Sequence, residues 1–285
     1  MREYLEPKDI ANNISMLKTA FDGTIVAVEG ITDRRLYGKF LDNENVEVVI
    51  AHSKDNVRSA VSEVYNMRGC RKIIGIMDAD LDHILNKKRN PPLFLTDTRD
   101  NETLMLKSNA LEDVLYEYGD KNAIDRFSDE YGPIRDVVLD SCYPLGLLMY
   151  VSEKEGFGLC FRDLNYELFI DKRTLRCDVK KMIDEVQNNT RSPTKDVRSI
   201  RMSLEKELRE EKDPWLICRG HDALAVMAIG LRNIFGAYNS RYIKDGELSG
   251  AFRLAYDRED MIRTKLYKET ESWCSDKNIH LWSFT

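Results

Sequence analysis

Two apolar runs, each ending in a carboxylate, constrain this chain most. Thr24-Ile25-Val26-Ala27-Val28 runs into Glu29-Gly30, and Ile73-Ile74-Gly75-Ile76-Met77 runs into Asp78-Ala79-Asp80-Leu81-Asp82. Short continuous β-branched runs bounded by turn residues read as strands buried on both faces. In an open α/β sheet, ligands bind beyond the carboxyl ends of the strands. Glu29 and Asp78 fall there, and on an extended segment Asp80 points the same way as Asp78. Clustered carboxylates repel one another, and Mg²⁺ or Mn²⁺ relieves that repulsion with hard oxygen ligands. A lone D-x-D is short and common, and for it alone solvated loop acids are the better reading. Two acidic strand ends in one βαβ frame are harder to obtain by chance.

The surrounding pattern supplies the frame. Pro7 and Asp9 open a helix with Ile10, Ile14, Leu17 and Phe21 on one face, closed by Asp22-Gly23. Thr32 is expected to cap a second helix that buries Leu36, Tyr37, Phe40 and Leu41 and stops at Asp42-Asn43. Val46–Ile50 reads as a strand. Ser53 caps a third helix with Val57, Ala60, Val61, Val64 and Tyr65 at helical spacing and Gly69 as its stop. Ile73–Met77 and a short Leu93–Thr96 complete the strands. Alternation of this kind predicts an α/β fold with a mainly parallel four-stranded sheet flanked by helices.

After about residue 105 long amphipathic patterns take over, such as Ile134–Tyr150 and Leu224–Phe235. The expected division is a catalytic domain over 1–105 and a mostly helical region over 106–285 for substrate, dimer or partner contacts. Cys160-Phe161 and Leu168-Phe169-Ile170 read as short strands, and Asn188–Arg201, with Pro193, as a polar loop. The last 40 or so residues read as charged helix, ending in Trp273, His280, Trp282 and Phe284.

Of 285 residues, 49 are acidic and 43 basic, a net charge of −6. That balance argues against a general duplex coat, but a local basic groove can coexist with it. The six cysteines include no C-x-x-C pair, which excludes a zinc knuckle or dithiol motif. The polar start Met1-Arg2-Glu3-Tyr4 is no secretory signal, and no apolar stretch approaches the roughly 18 residues of a membrane span. A cytoplasmic location with reduced thiols and no membrane contact is expected.

Glu29-Gly30-x-x-Asp33 after the first strand, with Asp78-x-Asp80 after the third, resembles the Toprim domain of topoisomerases, bacterial primases and OLD (overcoming lysogenization defect) nucleases. The run Val28–Tyr37 is most similar to a stand-alone Toprim-like group. Ser53-Lys54-Asp55-Asn56-Val57, Thr96–Glu102 and Arg219-Gly220-His221-Asp222 also resemble it. The Toprim likeness covers residues 24–105, and the group likeness is looser beyond. The group includes the effector nuclease of the PARIS anti-phage system, a subunit restrained by an ABC-type ATPase that cuts host tRNA once released. The resemblance implies Glu29 as general acid/base and metal contact, and Asp78 and Asp80 as Mg²⁺ ligands. It thereby implies a toxic, metal-dependent endoribonuclease. The chain departs from topoisomerases in lacking a recognisable tyrosine nucleophile, and from primases in lacking zinc- and helicase-binding parts. Hydrolysis is favoured.

Asp33, one helical turn past Glu29, is a candidate catalytic or second-metal residue. Asp82 and Glu102 are further metal candidates, with plain surface acids as the competing reading. Lys54, at a helix start after the second strand, is suited to a phosphate or is a solvated cap lysine. Lys87-Lys88-Arg89 are candidates for gripping a nucleic-acid backbone or form an exposed loop. Arg219 and His221 at a helix start are nucleic-acid candidates, although such histidines are more often structural. Arg191, Lys195, Arg198 and Arg201 form a further basic stretch. Trp273 and Trp282 suit base stacking, with packing the stronger reading. Symmetric dimers are the commonest assembly, so a homodimer is expected. Two competitors remain open: an OLD-type DNA nuclease and a non-catalytic Toprim scaffold.

Overall fold

The computed structural model describes residues 6–192 and 196–284. The strands β1 (Thr24–Val28), β2 (Val46–Ile50), β3 (Ile73–Met77) and β4 (Leu93–Leu95) form one sheet in the order β2-β1-β3-β4. Every pairing is parallel, with Val28 opposite Ile50, Ala27 opposite Gly75 and Met77 opposite Leu95. β1 and β3 are buried throughout, which explains why their sequences are unbroken apolar runs rather than alternating ones.

Helices α1 (Pro7–Ala20), α2 (Ile31–Tyr37) and α3 (Lys54–Ser62) link or flank these strands. Ser53 caps α3, its side chain accepting from the Asn56 N–H. The helix continues through one π-turn (Glu63–Met67) and stops at Gly69, whose φ is +72°. Ile10 and Ile14 of α1 and Val57, Ala60 and Val61 of α3 bury against Ile25, Ala27 and Ile73. Gly75 permits that closeness, because a Cβ there would lie 2.7 Å from Leu93 Cδ2 and 3.0 Å from Val57 Cγ1.

The helical remainder comprises α4 (Asn101–Lys107), α5 (Ala110–Tyr118), α6 (Lys121–Tyr131), α7 (Ile134–Glu155), α8 (Val179–Asn188), α9 (Val197–Glu207), α10 (Pro214–Ile217) and α11 (Gly220–Asn233). It ends with α12 (Asp245–Ala255), α13 (Arg258–Arg263) and α14 (Lys265–Ser275). The fold is thus an N-terminal all-parallel α/β sheet followed by a mostly helical region. Among the described residues no helix is long and apolar enough to cross a membrane.

Several local expectations change. Gly30, not Thr32, is the N-cap of α2, and the Asp33 side chain accepts from its N–H at 2.7 Å. The helix ends at Tyr37, although Phe40 and Leu41 are buried as expected. Leu168-Phe169-Ile170 is no strand. Leu168 ends a 3₁₀ turn (Tyr166–Leu168), and Ile170 makes a single antiparallel bridge to Cys177. Cys160-Phe161 is irregular as well. Short aromatic runs lack the length that separates strand from turn. The polar stretch turns helical at Val197, with Ile200 and Leu204 buried, so Arg198 and Arg201 lie on α9. Pro193 and Lys195 lie outside the described residues.

Two compact units emerge from the backbone. The first contains Met1–Asp82, Asn86–Asn101 and Asp257–Thr285, and the second His83–Leu85 and Glu102–Tyr256. In the first, the C-terminal segment braces the chain after α2. Ser283 N–H donates to Phe40 O at 2.8 Å and Asp42 N–H to Leu281 O at 3.0 Å. Trp282 is buried, and Trp273 meets the Phe94 ring edge-on at 6.0 Å, so both tryptophans pack. In the second unit, α7 and α11 are buried along most of their length. A Cβ on Gly146 of α7 would lie 2.4 Å from Ile217 O, so only glycine admits this approach of α7 to α10.

Candidate active site at the carboxyl edge of the sheet

The edge is assembled from backbone bonds that tie the acidic strand ends together. The half-buried Glu29 carboxylate accepts the Asp78 N–H on Oε1 at 3.0 Å, which joins the ends of β1 and β3 directly. Burial, then the charge of Asp80, pushes the Glu29 carboxyl up to about 7 from 4.5; Asp33 adds to the rise, while the Asp78 N–H and Lys54 oppose it. The carboxyl is therefore harder to ionise than a solvated one, chiefly because it is buried and next because Asp80 is near.

Asn101 is the hub of the same edge, only 5 % exposed. Its N–H donates to Asp78 Oδ1 at 3.1 Å, its Nδ2 donates to Asp33 Oδ1 at 3.1 Å, and its Oδ1 accepts from Tyr37 OH at 2.7 Å. One side chain and its own backbone thus fix the orientation of two carboxylates. Asn101 was not singled out in the sequence as a site residue; its only signal was its place in the Thr96–Glu102 run. Other members of that run are structural. Thr96 Oγ1 accepts the Ala79 N–H at 2.9 Å, and the Arg99 carbonyl accepts the Asp80 N–H at 2.6 Å. Asp97 accepts the N–H groups of Lys265 and Leu266 at the start of α14.

The chain does not stay extended beyond Asp78. Asp80 has φ +51°, a left-handed conformation that aspartate tolerates better than most residues. The Asp82 N–H then closes a turn on Ala79 O at 2.9 Å. This turn presents Asp80 and Asp82 to Lys54. Lys54 Nζ lies 2.9 Å from Asp80 Oδ2, 3.1 Å from Asp82 Oδ2 and 2.9 Å from Ala79 O. Arg89 Nη2 donates to the same Asp82 oxygen at 2.8 Å, so Arg89 turns inward. Lys87 and Lys88 are exposed on the loop between.

The remaining candidates belong to the second unit. Glu102, next to Asn101 in sequence, accepts from Ser249 Oγ at 3.2 Å. Arg219 binds the buried Asp222 through Nε at 3.0 Å and Nη2 at 2.5 Å, and Nη2 also donates to Phe161 O at 3.1 Å. Tyr166 OH donates to Asp222 at 2.5 Å, and burial, then the Asp222 charge, pushes its phenol up. His221 is exposed, with Nδ1 3.6 Å from Asp245 Oδ2. The guanidinium of Arg219 is thus committed to a buried charge pair, while the imidazole of His221 is open to solvent.

Among the described residues, no three His, Cys, Asp or Glu side chains already enclose a point where an ion would sit. The donor chemistry of the edge nonetheless suits a hard divalent cation. Glu29, Asp78 and Asp80 supply only carboxylate oxygens, and Glu29 experiences charge that a cation would neutralise. No protein-family profile and no curated protein matches the chain.

Proposed function

We propose that this chain is a Toprim-type, Mg²⁺- or Mn²⁺-dependent phosphodiesterase acting on RNA. The observation that carries the reading is the bond from the Asp78 N–H to Glu29 Oε1, on a carboxyl held at about 7. It ties the Glu29 carboxylate to the backbone at Asp78, at the strand ends where an α/β sheet takes its ligand. A carboxyl poised near neutrality accepts a proton from an attacking water and returns it to solvent, as a general base requires. Asp78 and Asp80 would hold the cation, which when bound polarises the phosphate and lowers the pKa of its water. Asn101 keeps Asp78 and Asp33 oriented, and Asp33 in turn fixes the start of α2 beside Glu29. Lys87 and Lys88, exposed on the following loop, suit contact with the phosphate backbone.

The choice of RNA, and of tRNA in an anti-phage setting under an ABC-type ATPase, rests on the sequence resemblance. Active homodimers in the cytoplasm belong to the same proposal. Purified tRNA and supercoiled plasmid, offered side by side with Mg²⁺ or Mn²⁺, separate it from the DNA-nuclease reading. tRNA cleavage that disappears in Glu29→Gln supports the proposal, and plasmid cleavage alone redirects it to DNA. No cleavage of either, in a folded chain that binds no divalent ion, leaves the scaffold reading.

A further inference from the structure

We infer that the ammonium of Lys54 occupies the position of a second cation, so that the edge loads one divalent ion per chain. The inference rests on the reading of this edge as a metal site. Lys54 Nζ is ringed by Asp80 Oδ2, Asp82 Oδ2 and Ala79 O at 2.9–3.1 Å. Those are ammonium distances; Mg²⁺ requires oxygens at about 2.0–2.1 Å in near-octahedral order. The ring is also built into the backbone. Asp80 adopts φ +51°, its N–H is held by Arg99 O at 2.6 Å, and Asp82 N–H closes on Ala79 O at 2.9 Å. A dication would have to displace Lys54 and contract this turn.

Charge leads to the same conclusion. Asp82 is 6 % exposed and already faces two cations, Lys54 at 3.1 Å and Arg89 at 2.8 Å. A carboxylate neutralised twice offers little to a further ion. Asp80 differs. Only its Oδ2 engages Lys54, and its Oδ1 takes no hydrogen bond among the described residues. Asp80 therefore pairs with Lys54 through Oδ2 alone and would offer Oδ1 to an ion held at the edge. Two-metal phosphodiesterases place cations about 3.5–4 Å apart to stabilise both the attacking and the leaving oxygen. Here a fixed positive side chain would supply the second charge and needs no ion from solution.

The test is a stoichiometry. The full-length chain is titrated with Mn²⁺ in the absence of nucleic acid, and free Mn²⁺ is read by electron paramagnetic resonance. Wild type is expected to bind one ion per chain. Lys54→Met is expected to bind two, the new one more weakly, while Lys54→Arg stays at one. Loss of binding in the double variant Glu29→Gln/Asp78→Asn assigns the wild-type ion to the strand ends. Two ions in wild type, or one in a folded Lys54→Met, overturns the inference and leaves the phosphodiesterase reading intact. No ion in wild type overturns both. Wild-type stoichiometry decides even if Lys54→Met fails to fold.

Discussion

Replacing Glu29 by glutamine is expected to make the metal-free chain more stable at alkaline pH and no more stable at acid pH. The Glu29 carboxyl is raised from 4.5 to about 7 by burial and by Asp80. Between those values the folded chain holds a proton that the unfolded chain has released. Stability linked to that proton is fully present below pH 4.5 and is lost as pH rises through 7. At 1.36 kcal/mol per pH unit the ceiling is about 3.4 kcal/mol. Glu29 is only half-buried, and solvent screening reduces the expected difference to roughly 1–2 kcal/mol. Glutamine retains an oxygen to accept the Asp78 N–H, so the bond between the strand ends survives. The assay is urea unfolding in EDTA at half-unit steps from pH 5 to 8.5, comparing wild type with Glu29→Gln. The gap should open between pH 5 and 7.5 and then stay level. A gap independent of pH, or a variant less stable at pH 8, would refute the reasoning. Adding Mg²⁺ should narrow the gap by stabilising wild type more than Glu29→Gln.

Other outcomes follow from the same geometry. Asn101→Ala removes the side-chain bonds to Tyr37 OH and Asp33 and is expected to cost about 2–4 kcal/mol in urea unfolding. Where it still folds, it should lower the cleavage rate constant more than the apparent affinity for RNA, because Asp33, which fixes the start of α2 beside Glu29, loses the Asn101 amide, while the backbone bond to Asp78 is kept. Gly75→Ala forces a Cβ against Leu93 and Val57 and should cost about 1–3 kcal/mol, seen as an earlier thermal transition.

The strand ends were legible because burial on both faces leaves an uninterrupted apolar run, and a carboxylate that terminates one stands out. Their coupling was not. Asn101 meets Asp78, Asp33 and Tyr37 across gaps of 23, 68 and 64 residues, and nothing local announces those meetings. The left-handed turn at Asp80 was hidden for a related reason. Asp-Ala-Asp is compatible with an extended chain, and the Arg99 carbonyl and Lys54, both distant in sequence, favour the turn. Glu102 bonds Ser249, 147 residues away within the helical unit, and nothing local announces that pairing. Nor does any pattern in Asp257–Thr285 reveal that it joins the sheet unit. The start of α9, within the Asn188–Arg201 stretch, reads as loop because Ile200 and Leu204 are too few to show a period.

The central claim is the proposal that Asp78 and Asp80 hold a divalent cation beside Glu29 and that this cation drives phosphodiester cleavage. Its most direct test is the rate of tRNA cleavage by the purified chain across a Mg²⁺ titration, set beside Asp78→Asn shown to be folded by circular dichroism. The account predicts no cleavage in EDTA, a saturable rise with Mg²⁺ in wild type, and a loss of at least about 100-fold in Asp78→Asn, in line with removal of a metal ligand. Cleavage that persists in EDTA, or an Asp78→Asn rate equal to wild type, would contradict it.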